Sequence, residues 1–542
     1  MKIGCETAAV CMVLDNMSAA DSREVEMPAE ALGRRVSCEG ERGTVRYVGE
    51  VPPTAGPWLG VEWDNSERGK HDGSHEGIKY FTCRHPTGGS FVRPKKASFG
   101  VDFMSAVRDL YQFNLQEVFG PQTTIASKTV EVSGFTKNRA DSLGVVSLRH
   151  REVSSPGPGD QIRTFMPDVR SLDLCGNLLS SWENVAEITE NIEHLRELLL
   201  SHNRLSLISD PVSLSHAFSS LNVLSLAGCQ LTWTQVLQCA PMWPRLEELY
   251  LAENDITELS RPLDVVQDLR VLDLSSNPLV QDSILSLAYL PRLENLNLST
   301  TELSGLQFDD VPPGGKTGMF TTLKVLILNH NNIAQWSAVN ELAKLQSLVE
   351  LSFRHNKQLT NDLTPQTANQ LIIAKLPQLA VLNKSRVLPD DRRGAELDYI
   401  KTFGLEWLAS GGNRDPAENR PSATFTCTHP RYLPLIQKYG AAEEGELKKQ
   451  TPFALKNQLI SVTIVCPEEA ERLPVVKKLP DSMTVQKVKG LLSRMLKVPG
   501  AAITLTYTGP KMNGSEVDLD NDLKPLQFYS IENGDSLLVR RT

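Results

Sequence analysis

Hydrophobic positions recur through the middle of the chain with a fixed grammar. The pattern L-x-x-L-x-L-x-x-N, with other apolar residues at some leucine positions, occupies 169–179, 195–205, 221–231, 246–256, 269–279, 293–303, 323–333 and 348–359. Its polar anchor falls at Asn177, Asn203, Cys229, Asn254, Asn277, Thr301, Asn331 and Asn356, spaced by 23–30 residues, and a weaker copy at 143–153 places Arg151 a further 26 residues upstream. Each L-x-L pair predicts a short strand with both leucines on one face. The anchor side chain is expected to satisfy backbone groups where the chain turns, which makes Cys229 a turn residue and not a nucleophile. A single unit leaves its apolar face open, so the units must stack to close a common core.

Elsewhere the patterning changes. Within 31–97, runs at 43–49, 58–63 and 89–94 alternate like strands and are separated by dense glycine, with no helical period. At the other end, 459–466 and 473–478 read as paired strands, and Thr484 opens a helix over 484–496 with Val488, Leu491, Leu492 and Met495 at helical spacing. Strands at 503–507 and 536–540 complete a ββαββ order, with Leu505, Tyr507, Leu537 and Val539 expected in the core. Residues 410–423 have linker composition, with a short helical stretch expected around 430–457. The expected organisation is a tail at 1–30, a small β domain at 31–97, a connector at 98–140, and repeats with a carboxyl-terminal helical cap at 141–408. A linker with short helices (409–458) and a last domain (459–542) complete it.

Composition narrows the function classes. The 542 residues are 40% hydrophobic and 22% charged, as in globular chains. The net charge of −9 argues against a nucleic-acid binder, and no apolar run reaches the roughly 18 residues of a membrane span. Nine scattered cysteines without a C-x-x-C pair suit a reducing, cytoplasmic setting better than a disulfide framework. The short apolar stretch at 8–14 lies between Glu6 and Asp15 and reads as a tail, not an export signal. Within 31–97 the balance reverses, with 11 basic against 8 acidic residues among the aromatics Tyr47, Trp58, Trp63, Tyr80, Phe81 and Phe91. Such a surface suits an acidic partner.

The repeat period is that of leucine-rich repeats. Their concave face is formed by the residues beside the strand leucines, and the row Asp173, Leu199, Ser225, Tyr250, Asp273, Asn297, Ile327 and Ser352 is the candidate protein-binding surface. No catalytic set, cofactor site or metal site is expected. Gly315-Lys316-Thr317 ends like a phosphate-binding loop, but Asp310 stands where its first glycine belongs, so a flexible loop is expected there. The cluster His71, Asp72, His75 and Glu76 lacks a zinc spacing and a thiolate, and reads as a solvated loop.

Residues 56–64 (GPWLGVEWD), 69–73 (GKHDG) and 88–94 (GGSFVRP) resemble the signature of CAP-Gly domains. The resemblance implies binding of acidic carboxyl-terminal tails ending in Glu-Glu-Tyr or Glu-Glu-Phe, as on α-tubulin. Trp58, Trp63, Gly69, Lys70, His71, Asp72, Gly73, Phe91 and Arg93 would form that site. Lys70 would meet a carboxylate, the glycines flanking the motif would admit backbone N–H groups, and Trp63 or Phe91 would pack the terminal aromatic. His71 stands where the family has Asn. Residues 459–542 resemble the ubiquitin-like β-grasp fold. They lack a terminal Gly-Gly, so no conjugation is expected, and carry Thr504, Thr506, Arg540 and Leu538 on the outward face.

The fold class is therefore multidomain: a small barrel-like CAP-Gly domain, a leucine-rich repeat α/β solenoid and an α+β ubiquitin-like domain. This order resembles the tubulin-folding cofactors. The resemblance implies a non-enzymatic, cytoskeleton-associated chaperone that binds α-tubulin and, with other cofactors and a small GTPase, assembles or dissociates the αβ heterodimer. The alternative is a microtubule-associated scaffold that links tubulin to ubiquitin or proteasome machinery.

Overall fold

The computed structural model describes residues 30–110, 144–356, 359, 363–447, 459–469, 473–499, 503–509, 516–529, 531 and 533–541. The expected tail at 1–30 lies outside these, Glu30 excepted, as do 111–140 of the expected connector and 448–458 of the expected linker. The chain divides into two compact units. The first contains the glycine-rich domain, the repeat array and residues 368–397 and 422–438, and the second contains 398–421 and the carboxyl-terminal domain.

In the glycine-rich domain, strands β1 (Arg35–Cys38), β2 (Glu41–Val51), β3 (Thr54–Trp63) and β6 (Gly89–Val92) form an antiparallel sheet in that order, and β4 (Ser74–His75) pairs with β5 (Ile78–Lys79). Its core holds Val36, Val45, Leu59, Val61, Trp63, Val92 and Phe99.

Residues 98–110 do not behave as the expected connector. Ser98 exchanges backbone hydrogen bonds with Ser37 of β1 and donates its hydroxyl to Glu152 at 2.7 Å. β7 (Val101–Asp102) then pairs with β9 (Val153–Ser155). Residues 103–110 are helical, and Phe103, Met104, Ala106 and Val107 are buried in the array core. Phe99 thus belongs to one core and Phe103 to the next, which leaves no slack between them.

The array follows the predicted period strand for strand. β8 (Val145–Ser147), β10 (Ser171–Asp173), β11 (Glu197–Leu199), β12 (Val223–Ser225), β13 (Glu248–Tyr250), β14 (Val271–Asp273), β15 (Asn295–Asn297), β16 (Val325–Ile327), β17 (Glu350–Ser352) and β18 (Val381–Leu382) run parallel, and β19 (Ser385–Arg386) closes the sheet antiparallel. The central leucine of each strand from β10 to β17 is fully buried. The anchors do what their position predicts. Asn277 accepts from the amides of Asn254 and Ile256 and donates to the carbonyls of Leu251, Leu274 and Ser275. Burial pushes the Cys229 thiol up to about 11, as suits a turn residue.

Two segments are more ordered than expected. Lys316 is not in a flexible loop: its ammonium donates to the carbonyls of Ala343 and Leu345, and Thr317 is buried and donates to Asp310. This Gly-Lys-Thr therefore ties a turn to the array. Within the expected linker, short helices are present as expected, at Ala423–Thr428 and Tyr432–Tyr439, and the difference is that they are docked. Arg431 donates to the Ala374 carbonyl and pairs with Glu396 at 3.1 Å, Lys438 pairs with Glu396 at 2.9 Å, and Asn340 donates to the Thr428 carbonyl. Glu396 sits on helix Pro389–Ala409, the expected cap, where Arg392 donates to the carbonyls of Ile373 and Leu376.

His429 is buried in this cap against Phe425, and burial, followed by the charge of Lys375, lowers its pKa to about 4. The unfolded chain therefore binds a proton that the folded chain refuses. Stability is unaffected by this group above pH 6.5 and falls as pH drops from 6.5 towards 4. The loss is at most about 3 kcal/mol, less where water screens the ring. We expect His429→Leu to flatten the stability profile over that window in urea titrations, and an unchanged slope would refute the assignment.

In the second unit, β21 (Val475–Pro480), β20 (Leu459–Val465), β24 (Ser536–Arg541), β22 (Ile503–Thr508) and β23 (Val517–Asp518) form a sheet in that order, with β20 and β24 parallel. Helix Val485–Leu496 buries Val485, Val488 and Leu492 against it. Leu505, Tyr507, Leu537 and Val539 are core, as expected. The short strand β23 is additional to the ββαββ reading. On the outward face Arg540 holds Glu516 at 2.7 and 2.9 Å and donates to Thr506, so that surface is closed by polar contacts.

Candidate functional site: a basic aromatic groove and a carboxylate-lined sheet

A groove of about 520 Å³ opens on the glycine-rich domain, and it brings together Trp58, Trp63, Lys70, His71, Phe91 and Arg93 with Arg68, His75 and Lys96. β6 supplies Phe91, the turn that follows it supplies Arg93 and Lys96, β3 supplies both tryptophans, and residues 68–75 supply Arg68, Lys70, His71 and His75. Phe91 is half-buried at the centre of an aromatic cluster, with ring centroids of His71, Tyr80 and Phe81 at 5.0, 5.4 and 5.5 Å. Arg93 lies over the Trp58 ring at 3.8 Å, a cation–π contact that fixes both side chains. The indole of Trp58 also donates to Thr54 at 2.9 Å. Lys70 is exposed, and no ion-pair partner is found for it among the described residues.

The glycines act differently from the expectation. A Cβ on Gly69 would lie 2.0 Å from the Thr87 carbonyl oxygen, and one on Gly73 would lie 2.1 Å from that of Phe81. Gly73 also has φ +99°. Both are needed for packing of the loop on its own domain, and neither lines the groove. The loop amides are already used: those of Lys70 and His71 bond to the Gly89 carbonyl, and that of Ser74 bonds to Asp72. Asp72 therefore shapes the turn and stands outside the groove wall. Trp63 is nearly fully buried, so its edge is a wall, and Phe91 is the more accessible of the two.

His71 takes over part of the amide chemistry of an asparagine. Its Nδ1 accepts from the Gly73 amide at 3.1 Å, which leaves Nε2–H as the donor. Burial holds its pKa below the usual imidazole value, outweighing Asp72, which raises it. Among the described residues no group of three or more His, Cys, Asp or Glu side chains could hold a metal ion.

The second surface is the outward face of the array. Register pairs Asp173, Leu199, Ser225, Tyr250, Asp273, Asn297, Ile327 and Ser352 side by side, as the period predicts. The neighbouring row is Ser171, Glu197, Val223, Glu248, Val271, Asn295, Val325 and Glu350. Together the rows carry Asp173, Glu197, Glu248, Asp273 and Glu350 and no lysine or arginine. Tyr250 donates to Glu248 at 2.7 Å, and its pKa is raised first by burial, then by Glu248, Asp273 and Glu197. Asn297 donates to Asp273 at 3.0 Å. The repeat period alone predicts the first row; the acidic character of the floor emerges only from both rows together.

Fold and groove together define a CAP-Gly protein that also carries leucine-rich repeats and a ubiquitin-like domain, and the CAP-Gly domain family matches residues 32–97. Over 515 residues the chain is 60% identical to tubulin-specific chaperone E of Danio rerio, which covers 94% of this chain and 99% of that one. Over 527 residues it is 50% identical to tubulin-specific chaperone E of Homo sapiens, with 95% and 99% covered. The solution structure of the carboxyl-terminal ubiquitin-like domain of mouse tubulin-specific chaperone E matches at 60% identity over 16% of this chain and 88% of that one, with a TM-score of 0.15. The chain belongs to the tubulin-specific chaperone E family.

Proposed function

We propose that this chain is a cytoplasmic, non-enzymatic tubulin chaperone. It takes the acidic carboxyl-terminal tail of α-tubulin in the CAP-Gly groove and holds the tubulin body on the repeat face around Leu199, Tyr250, Asp273, Asn297 and Ile327. With other tubulin cofactors and a small GTPase it assembles or dissociates the αβ heterodimer. The observation that carries the reading is the juxtaposition of an exposed Lys70 with the half-buried Phe91 in a basic groove. An ammonium beside an aromatic ring matches the terminal carboxylate and ring of a Glu-Glu-Tyr end.

Lys70→Ala should weaken binding of a Glu-Glu-Tyr peptide by about 1.5–3 kcal/mol, the range for a hydrogen bond to a charged group. Calorimetric titration of the full chain with that peptide and with its tyrosine-less form tests the reading. Equal affinity for the two peptides would refute it.

A further inference from the structure

The groove and the repeat face belong to one compact unit, and the contacts between their domains are specific. Asp64, at the end of β3, receives the buried Arg35 at 2.7 Å from inside its own domain and faces Arg204 of the array at 3.8 Å. Arg42 of β2 donates to the Gly176 carbonyl at 2.7 Å and meets His150 Nδ1 at 2.8 Å. Arg84 pairs with Asp255 at 3.0 Å. These array residues belong to four of the first five repeats and all follow their strands, so the docked domain lies along one rim. The covalent link is equally tight, because Ser98 bonds both to Ser37 and to Glu152. Three separate cationic contacts and a hydrogen-bonded crossing leave little freedom for rotation.

The two surfaces so joined have opposite charge. The groove presents Lys70, Arg93 and Lys96 beside Arg68, which is paired with Glu39, whereas the two rows of the array floor hold five carboxylates and no cation of their own. Among the described residues Asp173 alone of the five is paired, with Arg149 at 3.1 Å from outside the rows. An acidic tail is thus repelled by the floor and drawn to the groove, while a basic surface has the reverse preference.

We propose that groove and floor act as one clamp at a fixed angle on a single partner, a folded protein whose acidic carboxyl tail emerges beside a basic and apolar patch of its own surface. The proposal rests on the tail-binding reading of the groove and adds the charge of the second contact and the rigidity between the two. A fixed angle makes the second contact intramolecular without the spread of a flexible tether, so two modest contacts combine into a strong one only when the spacing fits.

The test uses the full chain, with spin labels on non-natural residues at positions 50 and 258, one in each domain. Electron–electron distance measurement should give one narrow distribution, and Arg42→Glu with Arg204→Glu should broaden it. That variant should bind the Glu-Glu-Tyr peptide as before and αβ-tubulin at least tenfold more weakly. Glu197→Lys with Glu350→Lys leaves the junction intact and should show the same split between peptide and tubulin. A broad distribution in the unaltered chain would overturn the fixed angle. Unchanged tubulin affinity in either double variant would overturn the clamp while the tail-binding reading stands. If the unaltered chain ignores the peptide, the tail-binding reading falls first and the clamp falls with it.

Discussion

Replacing Leu199, Tyr250 and Ile327 by serine together should lower the affinity for αβ-tubulin by two orders of magnitude or more. All three stand in one row on the outward face, separated by polar neighbours of the same register. Each is half-buried by its neighbours and keeps an accessible face, so its truncation removes contact area from a partner without opening a cavity beneath the sheet. The fully buried leucines 198, 249 and 326 on the opposite side are untouched. Burying such a side chain is worth about 1.5–3 kcal/mol, and a partial share from each of three sums to roughly 3–5 kcal/mol. Serine is the informative choice, because aspartate would also deepen the charge of an already acidic floor. Gel filtration of the variant with tubulin, alongside circular dichroism, separates loss of binding from loss of fold. Co-migration as strong as that of the unaltered chain would place the tubulin contact on another surface.

The repeat array could be read to the residue because its signal is periodic. One leucine pair fixes a strand, its repetition fixes the register, and register alone puts Leu199, Tyr250 and Ile327 in a row. The groove was legible through its composition, since aromatics and cations in a domain of under 70 residues have few other places to go. What stayed hidden depends on contacts between residues remote in sequence and without period. Nothing local at Gly69 reveals that Thr87 fills the space where a Cβ would sit, so its packing role resembled ligand approach. Arg35, Asp64 and Arg204 are single charged residues, and the sequence gives no reason to place them together. The same holds for Arg431, Lys438 and Glu396, which turn part of an apparent linker into a cap. Lys316 sits in a Gly- and Pro-rich stretch, yet the helix end at Ala343 captures its ammonium.

The array's own stability should depend most steeply on its asparagine anchors. Asn277 is buried at mid-array and engages five backbone groups drawn from two repeats. It follows Ser276, whose positive φ of 56° turns the chain out of the strand and aims these amides and carbonyls inward. Asn277→Ala leaves the amides of Asn254 and Ile256 and the carbonyl of Leu274 without this partner in a space too apolar to hydrate them well, whereas the Leu251 carbonyl keeps Asn254 Nδ2 at 3.0 Å. Each stranded group costs about 1–3 kcal/mol, so even with partial relaxation the loss should be on the order of 4 kcal/mol or more. The chain carries its own weaker version of this substitution. At the equivalent position Cys229 offers only a thiol, 3.4 Å from the Leu200 carbonyl, and Asn203 Oδ1 in the preceding repeat is buried without a partner. Asn277→Cys should therefore cost less than Asn277→Ala, and neither should alter peptide binding in the groove. Urea unfolding followed by the buried tryptophans 182, 233 and 243 reads the effect, and a shift below about 1 kcal/mol for Asn277→Ala would mean that water replaces the side chain and that the anchors do not hold the array together.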